Sequence, residues 1–364
     1  MKTLPDPKLA PELVEPAKVG DRGKALALTA LCLALFMATL DDTVLNVALP
    51  RIQASLNVPI SALQWVPNAY TLPIACLVLP SGTLGDLYGR KRVFLTGLML
   101  FTLASLLSAS APNLPVLLVG RVLQGIGAAA VIPGSLAILV DMFPNPKEQA
   151  KAIGVWTAVS GLALLAGPIL GGILVDTLGW KSVFLLNFPL GLLTFRLAAR
   201  HVRIRAQFIG RHLDLPGIIL SVVLVASLAI ALTEASGWSV WLVGLAGLSL
   251  ASFLFVESRH PHPMLPLRLF ENATFSVVSI VNTLLFFTLV SSIFLFSLFL
   301  QQVQGYSAAE AGLRFLPLNG SFVFASLISG WLAARLGLRF VITTGLVVAG
   351  AATLSFVRIG PDAA

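Results

Sequence analysis

Apolar residues in this chain fall in long unbroken runs instead of alternating with polar ones. Ala25 to Leu40 is a stretch of sixteen residues without a charge, and after Asp41 and Asp42 the next charge is Arg51. Comparable runs recur at roughly 25–47, 62–81, 92–111, 114–140, 149–175, 182–199, 216–234, 239–257, 276–301, 313–335 and 339–357. A helix crosses the hydrocarbon core with about 20 such residues. A membrane-spanning strand would instead show an alternation over about ten residues. The pattern predicts an all-α integral membrane protein, a helical bundle of about 11 transmembrane helices.

Composition removes the aqueous alternative. Hydrophobic residues make up 57% of the chain and charged ones 11%, with a mean hydropathy of +0.92. Soluble domains carry about 25% charge. The first 23 residues hold four prolines and charges of both signs without an apolar core, which excludes a signal peptide and reads as a short polar tail. Cys32 and Cys76 both lie in apolar runs, so reduced structural thiols are expected, not a disulfide framework. His201, His212, His260 and His262 fall in polar connections. Neither a metal site nor a cofactor is expected.

Charge sets the expected orientation. With the N-terminus inside, nineteen of the 24 Lys and Arg lie in the tail or in the connections that follow even-numbered spans. Arg51, Lys181, Arg314 and Arg358 fall on the other side, and Arg121 lies within a span. Basic residues favour the cytoplasmic face, so a multi-pass protein of the cytoplasmic membrane with a cytoplasmic N-terminus is expected. The net charge of +8 is then topogenic, and no basic soluble domain is present to bind nucleic acid.

A carboxylate at the centre of a membrane helix costs about 2.5–3.5 kcal/mol on insertion scales. Asp41 lies about six residues from the outer end of the first span, and Arg121 about seven from the outer end of the fourth. At 1.5 Å per residue both sit roughly 10 Å deep. Buried membrane charges pair or face a water-filled cavity, so Asp41 and Arg121 are candidates for one site. Asp42 points about 100° away, on the face of Asn46. A static structural ion pair is the plainer alternative.

Three further patterns carry candidate chemistry. In SGTLGDLYGRKR (81–92), Gly82, Gly85 and Gly89 suit a tight turn packed against a neighbouring helix. Asp86 and Arg90 there are four apart, and Asp141 ends the fourth span on the same face, so the three are expected to cluster; a merely topogenic basic loop is the alternative. In the fifth span Gly154, Gly167, Pro168, Gly171 and Gly172 permit close contact and a kink, serving gating or packing alone. Residues 329–341 (SGWLAARLGLRFV) repeat 81–93 (SGTLGDLYGRKRV) at a shift of 248, matching Ser, Gly, Leu, Gly and Val and placing Arg339 opposite Lys91. Repeated halves are common in transporters. GIGAAAVIPG from Gly125 only mimics a dinucleotide loop, because no strand precedes it.

These stretches resemble the motifs of the major facilitator superfamily. SGTLGDLYGRKR resembles its loop signature between the second and third helices through Gly82, Leu84, Asp86, Gly89, Arg90 and Lys91, with Gly85 and Leu87 as departures. LLVGRVLQGIGAA resembles the fourth-helix motif through Arg121, Gln124, Gly125 and Gly127. AGPILGG resembles the fifth-helix antiporter motif, with Gly154 at its first glycine and Ala163 where a glycine is usual. LDDTVLNVALP, QWVPNAY and LQQVQGYSAAEAGLRFLP are similar to the fourteen-helix drug:proton antiporter branch. The resemblance implies that Asp41, in the Leu-Asp-x-Thr pattern, is the coupling carboxylate, with Asp42 hydrated nearer the outer mouth.

The implied organisation is a tail (1–24), a six-helix N-terminal bundle (25–200), a cytoplasmic linker with two inserted helices (201–270) and an incomplete C-terminal bundle (271–364). A fourteen-helix member has three more helices, so a truncated product is expected. The implied function is proton-coupled efflux of small lipophilic or cationic compounds by a monomer whose partners are the substrate, protons and the bilayer. A non-transporting remnant and an exporter of one specific metabolite are the alternatives. No nucleophile–base constellation suggests an enzyme.

Overall fold

The computed structural model describes residues 21–204, 214–233, 238–260, 263–306, 314 and 316–355. Among them every regular element is helical, in eleven long helices. These are α1 (Asp21–Leu56), α2 (Trp65–Tyr88), α3 (Arg90–Ser110), α4 (Leu114–Met142), α5 (Pro146–Leu178), α6 (Lys181–His201), α7 (Leu215–Thr233), α8 (Ser239–Arg259), α9 (Ala273–Leu298), α10 (Leu316–Leu336) and α11 (Leu338–Ser355). Each overlaps one of the expected spans, with ends shifted by a few residues. Nine of them are long and apolar enough to cross a membrane. The other two are α2, which carries Pro73 and Pro80, and α10, whose apolar stretch is the shorter Gly320–Ala333. The tail, most of the basic link after Arg203 with His212, the turn at 234–237, His262 and the segments 307–313 and 356–364 lie outside the described residues.

Helix starts follow local chemistry. Asn113 and Asn145 cap α4 and α5 by accepting from the amides of Val116 (3.1 Å) and Lys147 (2.9 Å), each with a proline in the first turn. Such caps satisfy amides that lack a partner inside the helix. The turn between α2 and α3 is tighter than the sequence suggested. α2 runs through Gly82 and Gly85 to Tyr88, so the connection is Gly89 alone, at φ +94°. Gly337, its counterpart in the repeat, joins α10 to α11 at φ +85°. Positive φ is open to glycine at little cost. The repeat is thus matched in backbone geometry as well as in letters. Gly82, by contrast, faces open space and makes no helix contact, while a Cβ on Gly85 would meet Arg90 at the start of α3. His201 is the last residue of α6 and not part of a connection.

α1 packs between α5 and α6, α4 packs against α2 and α3, and α3 also meets α6. α7 and α8 form a pair that touches α2, while α10 lies along α5. The core of α1–α6 divides into two apolar clusters. One holds Leu31, Met37, Tyr70, Phe94, Phe101, Ile138 and Ala198. The other holds Leu45, Ile52, Val66, Ala109, Leu117 and Phe184. Near the junction of the two sets, α1, α3, α4 and α6 each bury a polar group: Asp41, Ser105, Arg121 with Gln124, and Asn187. Outward faces are apolar, with Val119, Ile169, Leu192, Trp241 and Phe287 exposed. That suits a bilayer as solvent.

Small residues set the closest approaches. A Cβ on Gly127 would stand 2.6 Å from the Gly97 carbonyl oxygen and 2.7 Å from the Phe101 nitrogen. Backbone lies on both sides, so nothing there can yield cheaply. Gly127→Val is therefore expected to lower stability by about 1–3 kcal/mol through overpacking. Gly247→Ala, in open space on α8, is expected to be neutral or to gain up to about 1 kcal/mol of helix propensity. Thermal unfolding of the purified protein in detergent compares the two.

Candidate functional site

Asp41 lies at 1% exposure and Arg121 at 0%, in contact through Arg121 Nη1 and Asp41 Oδ2. The expected pairing is made. The other carboxylate oxygen, Oδ1, accepts from Gln124 Nε2 at 3.0 Å and from Asn187 Nδ2 at 2.6 Å. Ser105 Oγ takes a second hydrogen from each amide, at 3.2 and 3.0 Å, and donates its own to the Phe184 carbonyl at 2.9 Å. Ser108 donates to Gln124 Oε1 at 3.0 Å. Asp41 is thus held by three donors from two helices, α4 and α6, with hydroxyls of α3 behind them.

The guanidinium is held as firmly. Arg121 Nε donates to the Val66 carbonyl and Nη1 also to Gln124 Oε1, both at 3.3 Å. The Tyr70 ring lies 4.3 Å beneath it and the Phe184 ring 5.8 Å away. Aromatic faces attract a cation more strongly where water is excluded. Nη2 has no hydrogen-bond partner among the described residues. Tyr70 in turn donates to the Ala38 carbonyl at 2.9 Å, tying α2 to α1 one turn before Asp41.

Asp42 stands apart. It is half-buried, forms no hydrogen bond among the described residues, and shares a face with the exposed Asn46. Asn187, Ser105 and Ser108 escaped the sequence reading. Serines in apolar helices are common and carry little signal. Asn187 did carry one. It is the amide within the apolar run VFLLNFPLG, about six residues from the end of α6, the depth of Asp41.

The second group assembles at the far end of α2. Arg90 Nε and Nη2 donate to Asp86 Oδ1 at 3.1 and 3.0 Å, and Nη1 donates to Asp141 Oδ1 at 2.9 Å. About a third of each side chain is exposed, so this triad joins α2, α3 and α4 with modest strength. Lys91 Nζ donates to the Ala199 carbonyl at 2.7 Å and adds α6.

The α5 glycines divide between two partners. Gly167 faces Thr43 and Gly171 faces the Val44 carbonyl, 3.2 Å from its would-be Cβ, so both seat α5 on α1 beside Asp41. Gly154 instead meets the Ser326 carbonyl of α10 at 3.1 Å. Gly172 borders open space and Pro168 is exposed. Two further contacts with α10 were not foreseen: Gly161 against Phe322 and Val323, and Gly330 against the Ala150 carbonyl, each at 2.8 Å.

Comparison with known proteins places this geometry. Residues 31–212 match the sequence model of the Major Facilitator Superfamily. The Methylenomycin A resistance protein of Streptomyces coelicolor is 35% identical over 93% of this chain and 72% of its own length. The chain belongs to the major facilitator superfamily. Other relatives in the superfamily include the Multidrug resistance protein Stp of Mycobacterium tuberculosis, 39% identical over 84% of this chain. The Multidrug transporter protein MdtP of Bacillus subtilis is 34% identical over 95%. The chain spans 58% of the length of Stp and 65% of MdtP. Among solved structures, the proton:xylose symporter XylE superposes with a TM-score of 0.57 at 11% identity, over 86% of this chain and 70% of that one. The human organic anion transporter MFSD10 gives 0.53 at 17% identity, over 84% and 72%. These two support the fold. Members of the superfamily are membrane transporters and not enzymes.

Removing one partner of a buried ion pair costs about 3–5 kcal/mol, because the other charge is left uncompensated. Arg121→Leu is expected to lose stability on that scale. The double variant Asp41→Asn, Arg121→Gln, which removes both charges, is expected to recover most of it. Thermal unfolding of the single and double variants measures the coupling.

Proposed function

We propose that this protein exports small lipophilic or cationic compounds across the cytoplasmic membrane in exchange for protons. Asp41 is the group that gains and loses the proton. The observation that carries this reading is the buried Asp41–Arg121 pair, its carboxylate also held by amide donors of α4 and α6. Arginine does not deprotonate in proteins, so Arg121 is a fixed positive charge and Asp41 the titrating partner. While α1 stays packed against α4 and α6, three donors engage the carboxylate. Movement of α1 removes those donors and leaves Asp41 open to either a proton or a cationic substrate, which compete for it. Binding one cation then releases the other, which is the exchange that an antiporter needs. The names of the relatives, resistance and multidrug transport proteins, support the substrate class.

In this reading the N-terminus is cytoplasmic, supported by the nineteen basic residues on that side. The Asp86–Arg90–Asp141 triad then fastens the cytoplasmic ends of α2, α3 and α4 while the transporter faces outward. α5, seated on α1 through Gly167 and Gly171 and on α10 through Gly154 and Gly330, is the surface on which two bundles rock. Helices 25–200 form one bundle, residues from 271 onward belong to the other, and α7 with α8 is the insert between them. The transporter acts as a monomer.

In everted vesicles energised by a pH gradient, Asp41→Asn in the transporter as expressed from its gene is expected to abolish uptake of a fluorescent lipophilic cation. The amide is close in shape, so the fold is retained, at a lower stability because Arg121 is left uncompensated. Arg121→Lys is expected to fail as well, since a planar fork stacked on Tyr70 becomes a point charge. Asp42→Asn is expected to keep coupling and to alter preference among cations. Coupled uptake by Asp41→Asn, with none by Asp42→Asn, assigns the proton to the wrong aspartate and overturns the reading.

Orientation has its own test. In a background lacking Cys32 and Cys76, an impermeant thiol reagent added to intact cells is expected to label Asn57→Cys, in the exposed turn after α1. Lys147→Cys, at the start of α5, is expected to react only after permeabilisation. The opposite pattern reverses the topology.

A further inference from the structure

The pair α7–α8 carries a second buried acid site, away from Asp41 and independent of the export reading. Asp214 immediately precedes α7 and is 1% exposed; Glu257 stands near the end of α8 and is 3% exposed. One oxygen of each is accounted for. Asp214 Oδ1 accepts the Gly217 amide at 2.9 Å and so caps α7. Glu257 Oε2 accepts the Leu265 amide at 3.1 Å, which fastens the chain after α8 back onto that helix. The remaining oxygens, Asp214 Oδ2 and Glu257 Oε1, are buried and have no hydrogen-bond donor among the described residues. They border the same small space. A Cβ on Gly217 would stand 2.5 Å from Asp214 Oδ2 and 2.9 Å from Glu257 Oε1.

Charge balance makes two carboxylates untenable there. No Lys or Arg among the described residues forms an ion pair with either acid; Arg259, two residues beyond Glu257, lies over the Phe255 ring at 4.1 Å. On the side of α2, which packs against α7, the facing titratable group is Cys76, whose thiol donates to the Val222 carbonyl at 3.8 Å. His260 Nε2 is 4.0 Å from Asp214 Oδ1, the oxygen already used as a cap. An ionised carboxylate only accepts, whereas a protonated one also donates. Two carboxyls confined together hold one proton between them.

We propose that Asp214 and Glu257 are a proton-binding site in which Asp214 Oδ2 and Glu257 Oε1 share a single proton. That one hydrogen bond satisfies both orphan oxygens and joins the start of α7 to the end of α8. It gives the inserted pair a clasp that opens when the proton leaves. Gly217 provides the room for it, since any side chain there would fill the space between the acids. The sign of the pH effect follows. The folded protein holds a proton that the unfolded chain has released, so stability falls as pH rises from the usual carboxylate range to the point where the clasp loses it, and levels off above. Protonation of His260 in acid places a cation beside Asp214 and acts in the opposite sense, favouring its ionised form.

Infrared difference spectra of the purified protein, wild type against Glu257→Gln at neutral pH, test this. Loss of a carboxylic acid C=O band in the variant, together with loss of the decline in unfolding temperature at rising pH, is expected. The introduced amide would donate permanently to Asp214, so the variant mimics the closed clasp. Asp214→Asn, which keeps an oxygen for the Gly217 amide, is the second arm and is expected to remove the same band. Loss of carboxylate intensity with no loss of an acid band would show both groups ionised and overturn the proposal. So would an unfolding temperature raised by sodium, potassium or magnesium at fixed pH and unchanged by pH itself, which would mark a metal cation as the occupant.

Discussion

Two opposite charges buried side by side constrain this molecule more than any other feature. Asp41 and Arg121 are tolerable inside a membrane protein only while they engage each other and their surroundings, and that engagement draws on α2, α3, α4 and α6. Val66 and Tyr70 of α2, Ser105 and Ser108 of α3, Gln124 of α4, and Phe184 and Asn187 of α6 all touch the pair or the groups that hold it. Pairing of this kind adds little net stability over a well-packed apolar core. Its effect is on specificity. The arrangement seen here engages both charges at once, which ties α1, α2, α3, α4 and α6 together in register and depth.

The apolar clusters on either side make that arrangement rigid. Close backbone approaches at Gly97 and Gly127 lock α3 to α4 and leave Arg121 on a scaffold with little freedom to shift. α1 is held differently, by α5 through Gly167 and Gly171, and by α6. The cation thus sits on the α3–α4 pair, and the acid on a helix seated against α5 and α6. α5 has α1 on one side and α10 on the other, so a displacement at α10 reaches Asp41 through a single intervening helix.

Much of this was legible in the letters. Run length and charge bias predicted the helices, and the depth of Asp41 and Arg121 below the same surface predicted their contact. Four-residue spacing brought Asp86 to Arg90, and the end of the fourth span brought Asp141. Other parts were not legible, for identifiable reasons. Gly82, Gly85 and Gly89 look alike in sequence, yet backbone φ distinguishes Gly89 as the turn and leaves the other two inside a helix. Ser105 and Ser108 look like ordinary small helix residues until a carboxylate and two amides are placed beside them. Asp214 and Glu257 are separated by two helices, and each alone reads as a loop or helix-end acid. Their meeting is a tertiary fact, produced by the pairing of α7 with α8.

The one-residue turn at Gly89 also bears on how the chain assembles. Closing a loop costs entropy that grows with its length, and a connection of one residue has almost none to lose. α2 and α3 are thus neighbours from the moment both exist, and the Arg90–Asp86 contact across that turn is local in sequence. The same holds for α10 and α11 about Gly337. Each hairpin is a unit that can be laid into the bilayer before the bundle closes, leaving the slower search to the helices joined by longer segments. Two copies of one nucleating turn would give the two halves of the molecule matching starting points for folding.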